Sequence, residues 1–294
     1  MNSWTGLIIA SAVFLAFYDL AKKASVRDNA VLPVLLVSTL SGAVAFSIAL
    51  AAGGKLRDAL LGGGGTVLAL SAAKSAIVAT SWVFTFCALR TLPITVATPI
   101  RASAPALVFV MALFAYGEIP SWMQAAGMLC VFAGYWAFSW AGRAEGISFF
   151  RCRAVWYAFA GAFFSALSAI WDKYVFQKAG ANVESVQLYF QAFLVAVYLS
   201  MIAAQRALKL RRDRFEWRWT IPLVGVMLAA ADWLYFTALA VPGVPVSIAS
   251  LLRRFSVVVT FAFGARIFRE ANLRRKAIAL AIVLAGVALL CIGG

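Results

Sequence analysis

The sequence predicts an all-α integral membrane protein with ten transmembrane helices, arranged as two inverted five-helix repeats around a central cavity. Three observations carry this prediction: the composition, the spacing of the apolar runs and an internal repeat. Hydrophobic residues make up 64% of the 294 residues, charged residues only 13%, and the mean hydropathy is +0.91. A soluble domain carries charges on about a quarter of its residues, so most of this surface must face lipid.

Ten apolar runs are each long enough to cross a bilayer, which takes about 20 residues of helix. The first run, residues 7–20, has no Lys or Arg before it and no clear cleavage site, so we predict a membrane helix there and not a signal peptide. The joints at 89–93 and 239–245 are short enough to require antiparallel hairpins. The predicted spans, numbered 1 to 10, are centred near Val13, Val44, Val78, Val108, Leu129, Phe164, Leu194, Met227, Val258 and Val283.

The basic residues are distributed unevenly between the two sides of the predicted bundle. Loops after odd-numbered spans hold 18 Lys and Arg residues, whereas the termini and the other loops hold only Lys55, Arg57, Lys173 and Lys178. Cytoplasmic loops carry such an excess. We therefore predict a multi-pass protein of the bacterial inner membrane with both termini outside the cytoplasm. The 18 residues are Lys22, Lys23, Arg27, Arg90, Arg143, Arg151, Arg153, Arg206, Lys209, Arg211, Arg212, Arg214, Arg218, Arg266, Arg269, Arg274, Arg275 and Lys276.

The sequence lacks the residues that several classes of function require. The sequence contains no histidine, which removes Ser-His-Asp and Cys-His catalysis, and no HExxH, GxSxG or phosphate-loop motif supports an enzyme. The four cysteines form no CxxC pair, and we expect neither a metal nor a cofactor. The net charge of +15 lies in short loops and not on one face of a soluble module, which argues against nucleic acid as a partner.

The two halves of the chain match each other at an offset of 152 or 153 residues. Five spans per repeat is an odd number, so the second copy must enter the membrane from the opposite side. Secondary transporters commonly use such inverted repeats, with the substrate site near mid-membrane. We predict one repeat at 1–142, a cytoplasmic linker at 143–153 and the second repeat at 154–294. The matched pairs are Asp19 with Asp172, Asn29 with Asn182, Thr95 with Ser247, Thr98 with Ser250, Arg101 with Arg253, Glu118 with Glu270, and Gly134 with Gly286.

Residues at the ends of the two repeats resemble those of a known family. Gly117-Glu118 and Arg269-Glu270 each precede an apolar helix that carries Gly134 or Gly286, and the pairs Ala88-Leu89 and Ala238-Leu239 precede short turns. Over nearly the whole chain, this order resembles two EamA repeats of the drug/metabolite transporter superfamily. The resemblance implies a cavity lined mainly by spans 3, 4, 8 and 9, closed by spans 1, 2, 6 and 7, with spans 5 and 10 peripheral and available for homodimer contacts. Familiar members keep both termini in the cytoplasm, whereas the charge distribution here predicts the reverse.

Seven ionisable residues lie within or at the edge of the apolar runs, where a charge costs about 2.5 to 3.5 kcal/mol on insertion scales. Arginine offers a planar donor fork that suits carboxylate or phosphate. The alternative is a purely internal network, such as an ion pair of Asp232 with an arginine, and Lys74 could instead snorkel to the interface. We predict a substrate site formed by Lys74, Trp82, Arg101, Asp232, Trp233, Tyr235, Ser250, Arg253 and Arg254.

Four further residues are candidates for coupling or gating. Asp19 and Asp172 are repeat mates, although Lys22 and Lys23 can explain Asp19 by a local salt bridge. Gln187 and Gln191 share one face of span 7, where hydrogen bonds between helices are the main alternative. A buried carboxylate such as Asp232 is also a candidate site for a coupling proton.

These observations favour a secondary transporter that moves a small organic metabolite by alternating access. The arginines favour an anionic or zwitterionic substrate, such as an amino acid or a phosphorylated or sugar metabolite, and the resemblance implies export. The alternative is a flippase for a lipid-linked phosphate carrier, in which the arginines bind the head group. An intramembrane enzyme or structural partner is a third class, without a motif to support it.

Overall fold

The computed structural model describes residues 3–94, 96–97, 100, 104, 107, 121–143, 151–209, 213–241, 244, 253, 255–269 and 272–292. Within these residues every regular element is helical, which confirms the predicted fold class at that level. Predicted span 4, centred near Val108, lies almost entirely outside them, as do Arg101, Ser250 and Arg254. Helices occupy the other nine predicted positions, and the count of ten spans stays a prediction.

Six of the described helices are long and apolar enough to cross a membrane: α1, α2, α4, α6, α7 and α8. The protein is therefore a multi-pass membrane protein. A π-helix, Tyr174–Lys178, extends α6. The α-helices of the described residues are α1 (Ser3–Val26), α2 (Val31–Ala52), the short α3 (Leu56–Leu61), α4 (Gly64–Thr91), α5 (Trp122–Arg143), α6 (Arg153–Lys173), α7 (Val183–Ala207), α8 (Thr220–Ala240), α9 (Phe255–Ile267) and α10 (Leu273–Ile292).

Two asparagines that match in the repeat mark helix starts in different ways. Asn182 caps α7, and its Oδ1 accepts a hydrogen bond from the Ser185 backbone N–H at 3.0 Å, which satisfies one of the free donors of the first turn. Asn29, just before α2, binds a distant loop instead. Its Oδ1 accepts from the Glu216 N–H at 2.9 Å and its Nδ2 donates to the Glu216 carbonyl at 2.8 Å.

The loops sort onto two opposite faces of the bundle. On the first face, Asn29 contacts Glu216 in the α7–α8 loop, and Arg90 at the end of α4 pairs with Asp213. On the second face, Lys55 after α2 reaches Glu184 at the start of α7, 3.4 Å away. The helix α1 therefore ends at the first face and α6, its repeat mate, ends at the second face, so the two run in opposite directions.

The packing repeats with the same offset as the sequence. The helix α1 packs against α8, and α6 packs against α4. Between α5 and α10 the correspondence is residue by residue. A methyl group on Gly134 would meet Ala279 and Val283, and one on Gly286 would meet their counterparts 152 residues earlier, Gly127 and Val131. Each of these two helices thus contacts the other through corresponding positions of the repeat, as in a pair related by a two-fold axis.

The helices α2 and α8 approach each other most closely at a pair of glycines, Gly42 and Gly225. A Cβ built on Gly225 would lie 1.7 Å from the Ser38 carbonyl oxygen, and one built on Gly42 would lie 2.7 Å from the Gly225 carbonyl oxygen. Small residues let membrane helices approach closely, because packing drives their association in lipid. The main apolar core lies beside this crossing and includes Leu35 of α2 and Val224 of α8.

We expect Gly225→Ala to lower the unfolding temperature of the purified protein in detergent, because the new methyl group forces α2 and α8 apart. Overpacking of this kind costs about 1 to 3 kcal/mol. The matched control is Gly6→Ala, where a methyl group meets nothing within 4 Å. Equal unfolding temperatures for the two variants would contradict the close crossing.

Candidate functional site

A central cavity of about 160 Å³ lies between the two halves of the chain, with walls formed mainly by α1, α4, α6, α7 and α8. A water molecule needs about 10 to 15 Å³ of such space, so several waters or part of a small organic molecule fit. Helices α1, α6 and α7 thus contribute wall residues in addition to the spans that the resemblance implied. The lining comprises Leu15, Tyr18, Lys22, Lys74, Val78, Ser81, Trp82, Thr85, Ala104, Ser165, Ala166, Ser168, Ala169, Asp172, Phe190, Leu228, Asp232, Tyr235, Phe236 and Arg253.

One ion pair in the cavity wall joins Asp232, in the middle of α8, to Arg253. The Arg253 Nη2 donates to Asp232 Oδ1 at 2.7 Å, and the two side chains are 17% and 15% exposed. The guanidinium also lies over the Tyr235 ring, 4.0 Å from its centroid, which adds a cation–π contact. The Arg253 Nε is buried and finds no hydrogen-bond partner among the described residues. Among the described residues, the Nε donor of Arg253 is therefore left without a partner.

A second ion pair joins Lys74 of α4 to Asp172 of α6. Both residues are buried, so the pair links the two halves of the chain within the bundle. The Lys74 ammonium also lies 4.9 Å from the Phe190 ring centroid and 4.5 Å from that of Phe236. Lys74 therefore does not snorkel to the interface, which corrects that alternative.

A third ion pair forms within α1, where Lys22 Nζ donates to Asp19 Oδ1 at 2.9 Å. Both side chains are buried, and the Lys22 ammonium lies 4.3 Å from the Tyr18 ring centroid. Asp19 lines a small cavity of about 10 Å³ beside the central one, and Lys22 lines both. The local salt bridge that the sequence suggested as an alternative for Asp19 is thus present.

Lys23, the other neighbour suggested for Asp19, has a different role. Its Nζ donates to the carbonyl oxygens of Leu89 and Leu92, at 2.7 and 2.6 Å. These carbonyls lie at the end of α4, where helix geometry leaves them without intrahelical partners. Lys23 therefore ties the first-face end of α1 to the first-face end of α4.

The repeat-mate aspartates lie toward opposite ends of the bundle. Asp19 is near the end of α1 at the first face, whereas Asp172 is near the end of α6 at the second face. Asp172 also lines the same cavity as Asp232 and Arg253. Two clusters of paired charges therefore lie toward opposite ends of the central cavity in the described part of the chain. The first contains Asp19 and Lys22, and the second contains Lys74, Asp172, Asp232 and Arg253.

Aromatic rings and hydroxyls form the rest of the wall. Trp82 packs edge-on against Phe190, with ring centroids 6.3 Å apart. Tyr18, Tyr235 and Phe236 add further rings, and the hydroxyls come from Ser81, Thr85, Ser165 and Ser168. Aromatic side chains combined with convergent polar groups are typical of a small-molecule site.

The structure brings five of the predicted substrate residues to one cavity and places another elsewhere. Trp233 is 39% exposed and does not line the cavity, because a step of one residue turns a helix by about 100° away from Asp232. Arg101, Ser250 and Arg254 lie outside the described residues. The five residues at the cavity are Lys74, Trp82, Asp232, Tyr235 and Arg253.

The two glutamines predicted to act in gating lie in different surroundings. Gln187 Nε2 donates to the Ala229 carbonyl of α8 at 2.8 Å, which is the hydrogen bond between helices suggested as the alternative. Gln191 lines a side cavity of about 20 Å³ next to the central one. The roles of both in coupling stay predictions.

Several lining residues were not singled out from the sequence, although their spacing contains the signal. Ser165, Ser168 and Asp172 recur at i, i+3 and i+7 and so share one face of α6. Ser81 and Thr85 follow Lys74 at the same kind of interval on α4. A stripe of polar residues at helical period inside an apolar span indicates the face turned toward a cavity.

Comparisons with known proteins match this architecture. The sequence model of the EamA-like transporter family matches residues 2–140 and again residues 153–292, so the predicted family and its two repeats are confirmed. No curated protein matches the chain at a significant level. One solved structure, described only as the crystal structure of a protein, is similar with a TM-score of 0.61 and 20% identity over 98% of this chain and 96% of that chain. That likeness concerns the fold alone.

We expect Lys74→Met to destabilise the protein, because it leaves the Asp172 carboxylate buried without its partner. Breaking a buried pair from one side costs about 3 to 5 kcal/mol, whereas replacing both partners by apolar residues is often neutral. The double variant Lys74→Met with Asp172→Leu should therefore recover most of the unfolding temperature in detergent. A double variant no more stable than the single one would show that the pair is not the relevant interaction.

Proposed function

The chain belongs to the EamA-like transporter family, and from that membership we propose that it is a secondary active transporter of a small zwitterionic or anionic organic metabolite. Alternating access between the two repeats would move the substrate, with export as the expected direction. The observation that carries the proposal is the Asp232–Arg253 pair in the wall of a cavity between the halves.

Arg253 is suited to bind the anionic group of a substrate. Its Nη2 is committed to Asp232, but its Nε is buried and without a hydrogen-bond partner among the described residues. A carboxylate or phosphate at this edge would satisfy that donor in a geometry that a planar guanidinium favours. Tyr235 beneath the guanidinium holds its plane in place.

Asp232 supplies the opposite charge next to this arginine. A zwitterion could place its negative group on Arg253 and its positive group toward Asp232, so that two new ion pairs replace one existing pair. Trp82 and Phe190 would contact the apolar part of the substrate. The balance of charges around the cavity favours a zwitterion over a substrate with a large net charge.

Alternating access would use the two clusters at opposite ends of the cavity. The Lys22–Asp19 pair lies toward the first face and the Lys74–Asp172 pair toward the second face. Opening at either end requires the helices at that end to separate. A cation taken up by one of the carboxylates, a proton in the sequence-based hypothesis, would supply the driving force.

The substrate class can be found by a thermal-shift screen of the purified protein, followed by liposome flux of any compound that stabilises it. The screen should contain amino acids, organic acids, phosphorylated sugars and a short polyprenyl phosphate. Stabilisation by the polyprenyl phosphate alone would favour the flippase alternative.

We expect Arg253→Ala to reduce liposome flux of the stabilising compound about 10- to 100-fold at low substrate concentration, the loss associated with one charge-assisted hydrogen bond. Arg253→Lys keeps the charge and the partner of Asp232 but loses the planar fork, so it should fold normally and still transport poorly. The matched control is Arg266→Ala at the exposed end of α9. Wild-type flux in both Arg253 variants would remove the proposed anion site.

Orientation can be tested with single cysteines in a background in which Cys87, Cys130, Cys152 and Cys291 are replaced. Asp28 lies on the first face and Lys55 on the second, and both side chains are exposed. We expect an impermeant maleimide to label Lys55→Cys in intact cells and Asp28→Cys only after permeabilisation, because the first face carries the predicted cytoplasmic loops. The reverse labelling would place both termini in the cytoplasm, as in familiar members.

A further inference from the structure

A side cavity of about 20 Å³ lies next to the central cavity, where α2, α4, α7 and α8 meet. Its polar lining comes from Ser38 and Thr39 of α2, Gln191 of α7 and Asp232 of α8, with Tyr18 of α1 and Trp82 of α4 also in the wall. The space exceeds the 10 to 15 Å³ or so that one water needs, and it is too small for an organic molecule. The space therefore suits an occupant the size of one or two water molecules.

Two oxygen atoms of this lining have no partner in the part of the chain that the structure describes. Thr39 Oγ1 and Gln191 Oε1 are buried, with side chains belonging to residues 6% and 7% exposed, and neither has a hydrogen-bond partner among the described residues. Buried polar atoms are nearly always satisfied, so two unsatisfied oxygens whose residues line one small space point to a bound water or ion there. Both residues line the same small space.

Asp232 is common to both cavities. Its Oδ1 accepts from Arg253, and no hydrogen bond in the described part of the chain engages its Oδ2. The carboxylate can therefore supply a charged ligand to the side cavity. A carboxylate, an amide oxygen and a hydroxyl oxygen are the hard ligands that hard cations take in proteins.

The charge balance favours a monovalent cation. Arg253 already offsets most of the charge of Asp232, and the described lining of the side cavity contains no second acid. Beside this pair a divalent ion would leave two excess positive charges at membrane depth and a monovalent ion only one, and such charges are costly. The close crossing of Gly42 and Gly225 in the same wall keeps the space small, which favours a dehydrated ion.

We propose that the side cavity binds one Na⁺ ion through oxygen atoms of Asp232, Gln191 and Thr39, and that this ion competes with the positive group of the substrate for Asp232. The second half of this inference rests on the proposed transport function, whereas the first half does not.

Competition for one carboxylate has a direct consequence for coupling. Since Asp232 cannot neutralise the ion and the substrate cation at once, each lowers the affinity for the other by the same factor. Entry of Na⁺ from one side then favours release of the substrate on that side. Such an exchange would drive export against a substrate gradient.

The test is a thermal unfolding titration of the purified protein with NaCl, with choline chloride keeping the ionic strength constant. A ligand that binds only the folded state raises the unfolding temperature in a saturable manner. Thr39→Val keeps the shape and removes the oxygen, and Gln191→Leu does the same for the amide. Each should raise the Na⁺ concentration at the midpoint by at least about tenfold. The matched control is Thr80→Val on the exposed side of α4, whose hydroxyl bonds only within its helix.

The outcomes separate the site from the transport function. A saturable Na⁺ effect that is weakened in Thr39→Val and Gln191→Leu but not in Thr80→Val supports the site. An unfolding temperature that does not respond to Na⁺, or that responds equally in all variants, overturns it and leaves a buried water as the occupant. If Arg253→Lys loses flux and Na⁺ does not change the unfolding temperature, the transport proposal stands without this ion. A Na⁺ effect with wild-type flux in Arg253→Lys would sustain the ion site and remove the proposed substrate site.

Discussion

Charge neutrality at membrane depth is the constraint on which the described site depends. Lys22, Lys74 and Arg253 each lie against an aspartate, because an unpaired charge in this environment costs several kcal/mol. Two of these pairs also fix helices against one another. Lys74 fixes α4 on α6 through Asp172, and Arg253 fixes its own segment on α8 through Asp232. The cavity between these helices therefore has its shape set by the same contacts that make its charges tolerable.

The inverted repeat places an aspartate–lysine pair toward each end of the cavity, but the two pairs connect the helices differently. Asp19 and Asp172 are mates, yet Asp19 finds its lysine on its own helix, whereas Asp172 finds its lysine on a helix of the other half. The first pair can move with α1 as a rigid unit. The second pair must either break or carry α4 and α6 together. Movement between the halves is therefore expected to be unequal at the two faces.

Composition and the length of the apolar runs predict the helical membrane fold, because lipid leaves few alternatives for the backbone. The matches at an offset of 152 or 153 residues predict its two repeats. The partner of Lys74 could not be predicted, since Asp172 lies 98 residues away in the chain and the pair forms only when the halves meet. Tyr235 lines the cavity and Trp233 does not, and the reason is simpler. A position three residues from Asp232 shares its helix face and an adjacent position does not, so helical phase alone would have separated them.

The balance of charges also constrains what the cavity can accept. A substrate with a net negative charge would bind Arg253 and leave Asp232 with less compensation, in a cavity whose wall contains a second carboxylate, Asp172. A zwitterion removes this difficulty, because its negative group pairs with Arg253 while its positive group pairs with Asp232. Two new contacts then form where one was broken, and the net charge of the site is unchanged. For a wall in which the described cations and carboxylates are paired, the substrate that disturbs the balance least is one that carries its own counter-charge.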